Sequence, residues 1–224
     1  MKLPTKKPII FSDFDGTITE RDVIVMIMEK CAPSEWVEIK DKILYERSIT
    51  LKDGVEKLFG LIDSSKKNEI IDFIKKEVAI RKGFDEFLDF CKNKNIEFNV
   101  VSGGLDFFVL PVLEKYKVKI LCNEGNFSSN KIKIDYKYLP KICPLCGDCG
   151  CCKIEIIEKF PKEKYTRVLI GDSLTDLAPS KVVDIVFARG DLIKYLEEEK
   201  IFYIPFNDFY EVKEKLQQKL LQKI

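Results

Sequence analysis

Near its N-terminus the chain runs Pro8-Ile9-Ile10-Phe11-Ser12-Asp13-Phe14-Asp15, a short apolar stretch that closes on two carboxylates and then Gly16. A run of this length without polar alternation suits a strand buried on both faces, as in a parallel sheet. In open α/β sheets ligands gather outside the C-terminal ends of the strands. The acidic end of this run therefore predicts chemistry as well as topology. Parallel strands need long crossovers, usually helical, so the rest of the chain has to supply them.

It does so after Gly83. Helix 84–93, strand 96–101, Ser102-Gly103-Gly104, helix 105–116 and strand 119–122 follow in order, then a hairpin over 123–138 with Ser128-Ser129-Asn130 at its turn. Beyond a cysteine-rich loop come helix 152–160, strand 167–170, helix 174–180, strand 184–187 and helix 191–200. The alternation predicts an α/β fold, a doubly wound, Rossmann-like parallel sheet. Residues 20–81 break the pattern with four apolar groups at helical spacing, centred on Ile24, Ile39, Val55 and Ile71. They predict an inserted α-helical cap, leaving 1–19 and 82–224 as the core. Val212, Leu216, Leu220 and Ile224 form one apolar stripe on a last helix, expected to dock on the sheet domain.

The chain holds no histidine among its 224 residues. This removes Ser-His-Asp and Cys-His catalysis, histidine phosphatases and His-ligated zinc hydrolases. Chemistry must run on carboxylates, lysine, hydroxyls or thiols. Lys and Arg number 38 against 37 for Asp and Glu, so there is no bulk attraction to nucleic acid or anionic lipid. With no apolar run near the ~20 residues a bilayer requires and no signal-peptide core after Met1, the expectation is a cytoplasmic protein with no nucleic-acid or membrane partner.

Three strand ends carry reactive residues: Asp13-Phe14-Asp15-Gly16-Thr17, Ser102-Gly103-Gly104 and Gly171-Asp172-Ser173-Leu174-Thr175-Asp176, with Lys153 between the second and third. Singly, such residues end strands and cap helices. Together they predict phosphoryl transfer. Asp13 and Asp172 offer hard oxygens suited to Mg²⁺, while Lys153, the Ser102 hydroxyl and the Gly103 N–H supply donors for a phosphate. Asp13 is placed to attack phosphorus, and Asp15 to protonate the leaving alkoxide and then activate water.

In this combination the motifs resemble those of the haloacid-dehalogenase-type phosphatases, and the helical insertion resembles that superfamily's type-1 cap. The resemblance implies Mg²⁺ held by Asp13, the Asp15 carbonyl and Asp172, with Asp176 and Thr17 supporting from outside the ligand shell. Within the phosphoserine-phosphatase-like branch, Ala32-Pro33-Ser34-Glu35-Trp36, Gly54 to Leu61, Ser102 to Phe108 and Cys149-Gly150-Cys151-Cys152-Lys153 resemble the methionine-salvage phosphatases, whose substrate is an enol phosphate with a thioether tail.

Phosphoserine would call for an acid and an arginine clamp. Asp22 could be the acid, but between Arg21 and Arg81 at its ends the cap interior has only Arg47, with Lys57 on the third helix. A thioether wants apolar walls, for which Met26, Met28, Trp36 and Phe59 are candidates against the plainer reading as cap core. Cys143, Cys146, Cys149, Cys151 and Cys152 lie within ten residues, too close for a usual zinc ribbon. Structural Zn²⁺, a disulfide or reduced packing thiols are the readings left open. The expected partner is a small phosphorylated metabolite, and a homodimer is compatible with the sequence. A metal-binding or redox-sensing protein on a retired phosphatase scaffold is the reading from another class.

Overall fold

The computed structural model describes residues 6–139 and 148–221. It divides into two compact units, one of Met1–Glu20, Ile80–Val101 and Lys153–Ile224, the other of Arg21–Ala79 and Ser102–Cys152. The chain 102–152 thus groups with the helical insertion, a wider partition than the 20–81 cap expected from periodicity.

In the first unit the apolar run becomes strand β1 (Lys7–Ser12), with Ile9, Ile10, Phe11 and Ser12 all buried. It is central and parallel to both neighbours. Ser12 is in register with Val100 of β2 (Glu97–Leu105) and with Ile170 of β5 (Tyr165–Gly171). The order continues in parallel through β6 (Ile185–Ala188) to β7 (Ile204–Pro205), a two-residue strand that periodicity did not predict. The doubly wound parallel sheet is therefore present as expected.

Helix α5 (Phe84–Asn93) and the last helix (Phe209–Leu221) pack together through phenylalanines. The Phe209 ring lies 4.9 Å from Phe84 and 5.4 Å from Phe87. Val212 and Leu216 are fully buried, so the stripe docks as predicted; Ile224 lies outside the described residues.

The second unit holds the four expected helices, α1 (Val23–Cys31), α2 (Trp36–Leu44), α3 (Leu51–Gly60) and α4 (Lys67–Glu77), followed by α6 (Asp106–Leu113). Asp22 caps α1 by accepting from the Val25 N–H at 2.9 Å, and Thr50 caps α3 in the same way. Two boundaries differ from expectation. Strand β2 does not stop at Val101 but runs through Ser102-Gly103-Gly104 to Leu105, because those glycines can stay extended. The strand expected at 119–122 continues to Asn126 as β3 (Lys119–Asn126), which pairs antiparallel with β4 (Lys133–Asp135). Among the described residues no helix is long and apolar enough to cross a membrane.

Candidate active site

Asp13 leaves the end of β1 with its N–H bonded to the Ile170 carbonyl at 2.9 Å, so the sheet itself sets its position. The chain then turns tightly. The N–H groups of Thr17, Ile18 and Thr19 all point to the Phe14 carbonyl, and Gly16 takes φ +72°. Any side chain at Gly16 would run into the Asp172 carboxylate. The turn thus needs glycine both for its φ and for the close approach. Thr17 donates its hydroxyl to Asp172 Oδ1 at 3.0 Å.

Asp172 follows β5. Behind it, Ser173 and Asp176 form a capping box on a short 3₁₀ turn (Leu174–Asp176). Asp176 Oδ2 accepts from the Asp172 N–H at 3.1 Å and the Ser173 N–H at 3.4 Å. Its other oxygen accepts from Lys153 Nζ at 2.6 Å. Lys153 begins α7 (Lys153–Glu158) and donates equally closely, at 2.6 Å, to Asp13 Oδ1. Lys153 is 3% exposed, Asp13 6% and Asp176 0%.

Asp13, Asp172 and Asp176 each bring a carboxylate oxygen within 4.8 Å of the others, with one ammonium between two of them. The charges are unbalanced and largely out of water. Burial pushes Asp13 up to about 7, with Asp176 adding to the shift and Lys153 opposing it. Burial, then Asp13 and Asp176, pushes Asp172 up to about 8, against the Thr17 hydrogen bond and Lys153. Burial alone would lower Lys153, but its two carboxylates outweigh that and raise it.

Such a site calls for a cation. Its hard oxygen donors fit Mg²⁺. Asp176 already gives both oxygens to the protein, so Asp13 and Asp172 are the carboxylates with ligand capacity to spare.

Two residues to which the sequence assigns no role hold this loop. Arg81, 8% exposed, donates at 2.8 Å to the carbonyls of Gly16, Thr17 and Thr19, and more weakly to Glu20 and Asn207 at 3.4 Å. Arg189 donates to the Gly16 carbonyl as well. An arginine just ahead of Gly83 was the available signal for the first. Contacts to main-chain carbonyls leave no periodic trace.

In the second unit Ser102 is 1% exposed, and its Oγ accepts from the Gly104 N–H at 2.9 Å. Met26 and Phe59 belong to that unit's core. Phe59 is fully buried, stacked on Phe108 at 6.1 Å and edge-on to Phe107 at 6.0 Å, and Met28 is buried too. Trp36 is half-buried, while Asp22, Lys57 and Arg47 are exposed. Zinc at the cysteine loop finds no support. The metal-competent grouping among the described residues contains no thiol, and Cys143 and Cys146 lie outside them.

Residues 10–178 match the haloacid dehalogenase-like hydrolases, and the chain belongs to that family. Its relatives narrow the comparison. It is 44% identical over 216 residues to the 2-hydroxy-3-keto-5-methylthiopentenyl-1-phosphate phosphatase of Geobacillus thermodenitrificans, covering 95% of this chain and 96% of that one. The phosphatase of the same name from Bacillus velezensis is 42% identical over 213 residues, covering 93% and 89%. Among solved structures, a phospho-aspartyl intermediate analogue of phosphoserine phosphatase superposes with a TM-score of 0.71 at 22% identity, over 94% of this chain and 99% of that one. At that identity the last likeness speaks for the fold.

Proposed function

We propose that the chain hydrolyses a phosphomonoester through an aspartyl-phosphate on Asp13, and that its substrate is 2-hydroxy-3-keto-5-methylthiopentenyl-1-phosphate. The observation that carries the chemistry is the buried Lys153 ammonium, 2.6 Å from both Asp13 and Asp176, beside the Asp172 carboxylate. The substrate rests on relatives of that name matching over nine-tenths of the chain.

Asp13 Oδ attacks phosphorus and the bond from phosphorus to the leaving oxygen breaks. Asp15 gives its proton to that oxygen. Asp15 then takes a proton from water as the water attacks phosphorus, the Asp13–phosphate bond breaks, and inorganic phosphate leaves. Lys153 opposes protonation of Asp13 and offsets phosphate charge, with Asp176 holding Lys153 in place. Ser102 and Gly103 are assigned to phosphate binding by their motif. Asp13, the Asp15 carbonyl and Asp172 would hold Mg²⁺, which supplies electrostatic stabilisation of the phosphoryl charge; Thr17 steadies Asp172. The helices of 20–81 are taken as the specificity cap.

Hydrolysis of an aryl phosphate with Mg²⁺ tests the chemistry, and Asp13→Asn should abolish it. Activity retained by that variant, or insensitive to chelation, would end the reading. A panel pairing the enol phosphate with phosphoserine tests the substrate. Preference for phosphoserine would overturn that half alone.

A further inference from the structure

Asn123 is fully buried in β3, and both its amide hydrogens and its carbonyl oxygen are hydrogen-bonded. Its Nδ2 donates to the Gly103 carbonyl at 3.2 Å and to the Gly150 carbonyl at 3.1 Å. Its Oδ1 accepts from the Lys137 N–H at 3.2 Å. All four residues belong to the second unit.

The Gly103 carbonyl is one end of the planar Gly103–Gly104 peptide. The other end, the Gly104 N–H, donates to Ser102 Oγ at 2.9 Å. Asn123 and Ser102 therefore grip the same peptide from opposite sides. Because Ser102 Oγ is used as an acceptor there, its own proton points elsewhere, and among the described residues nothing accepts it. A hydroxyl 1% exposed with an unspent proton needs an acceptor to be satisfied, and a phosphate oxygen is one.

The second Asn123 bond reaches the loop that leads into Lys153. Gly150 takes φ +77°, and two residues later the Cys152 N–H is bonded to the Tyr138 carbonyl at 2.8 Å. One neutral carboxamide thus ties the serine segment to the cysteine segment.

We infer that Asn123 is a positioning residue for phosphate binding: through the Gly103–Gly104 peptide it aims the Ser102 hydroxyl, and through Gly150 it keeps the cysteine loop in register with it. This rests on the phosphatase reading above. If the wild-type protein fails to hydrolyse an aryl phosphate, that reading fails; if the wild type is active, the following cycle decides the role of Asn123.

Asn123→Ala, Ser102→Ala and the double variant are compared by kcat/KM on an aryl phosphate and by inhibition with inorganic phosphate. Asn123→Ala should lower kcat/KM by about 10- to 100-fold, the scale of losing a hydrogen-bond network around a bound ion, and weaken phosphate inhibition. In the double variant the loss should come within about threefold of Ser102→Ala alone, since coupled residues are non-additive. Multiplying losses, or an Asn123→Ala variant with the wild-type rate, would overturn the inference. Asn123→Ser, which keeps one donor, serves if the alanine variant does not fold. Should neither fold, Asn123 belongs to the core of the second unit and the inference falls.

Discussion

The Asp13–Glu20 loop follows β1 and the Ser102–Gly104 segment lies in the last part of β2; both carry motif residues, and they are held by opposite means. Charged groups hold the first: Arg81 and Arg189 converge on the Gly16 carbonyl, and Lys153 on the Asp13 carboxylate. A neutral amide, Asn123, holds the second. The difference follows from the local field. Three carboxylates within 4.8 Å make cationic donors favourable beside them, where each guanidinium both bonds a carbonyl and offsets negative charge. Ser102 needs only direction for its hydroxyl, which a neutral donor provides.

If that contrast is correct, changes on the charged side should cost more. Lys153→Met comes first, because it leaves Asp13 and Asp176 buried without their cation. Loss of ~3–5 kcal/mol in urea unfolding is expected, together with loss of hydrolysis. Wild-type stability in this variant would break the comparison.

Arg81→Lys keeps the charge but cannot fork to several carbonyls. A cost of about 2–3 kcal/mol is expected from the carbonyls left without donors, measured by the same unfolding, with a fall in kcat larger than any change in KM. An Arg81→Lys variant indistinguishable from wild type would show that charge alone holds the loop.

Protons compete with the cation next. Asp13 raised to about 7 and Asp172 to about 8 bind protons more tightly in the folded than in the unfolded chain. The stability of the metal-free protein should therefore fall as pH rises from about 4 through 8. Mg²⁺ must displace those protons, so its apparent affinity should weaken by at least about tenfold per pH unit below 7. Calorimetric titrations at pH 6, 7 and 8 check the sign. An affinity flat across that range would mean that the carboxylates are ionised without the metal.

The smallest effect concerns Phe59. Packed on Phe107 and Phe108, it should cost roughly 1 kcal/mol on substitution by leucine and leave KM unchanged. A raised KM at wild-type stability would return Phe59 to the substrate-facing role that its place in the helical insertion first suggested.

Much of the first loop is legible in the sequence. An apolar run ending in Asp13-Phe14-Asp15-Gly16-Thr17 is a local pattern, and local patterns survive in one dimension. Gly16 stands in the sequence as the glycine that ends the run, but the Asp172 carboxylate that excludes a side chain there does not show in it. The Ser102-Gly103-Gly104 segment was read as a loop because paired glycines usually break strands, yet it extends β2. The apolar residues of the helical insertion show the same limit. Met26, Trp36 and Phe59 look alike as candidates in sequence, and burial separates the first and last, as core, from the half-exposed tryptophan.

Arg81 and Asn123 mark where sequence stops. Each spends its side chain on main-chain carbonyls up to about 126 residues distant, Asn207 for Arg81, and every residue offers such a carbonyl, so no partner type or spacing announces the bond. The chain by itself determined the sheet, the helical insertion and a histidine-free acidic site, since hydrophobic period and side-chain chemistry are carried residue by residue. Only the tertiary structure decided which side chains hold the reacting loops, because hydrogen bonds to backbone depend on where the fold leaves a carbonyl unpaired.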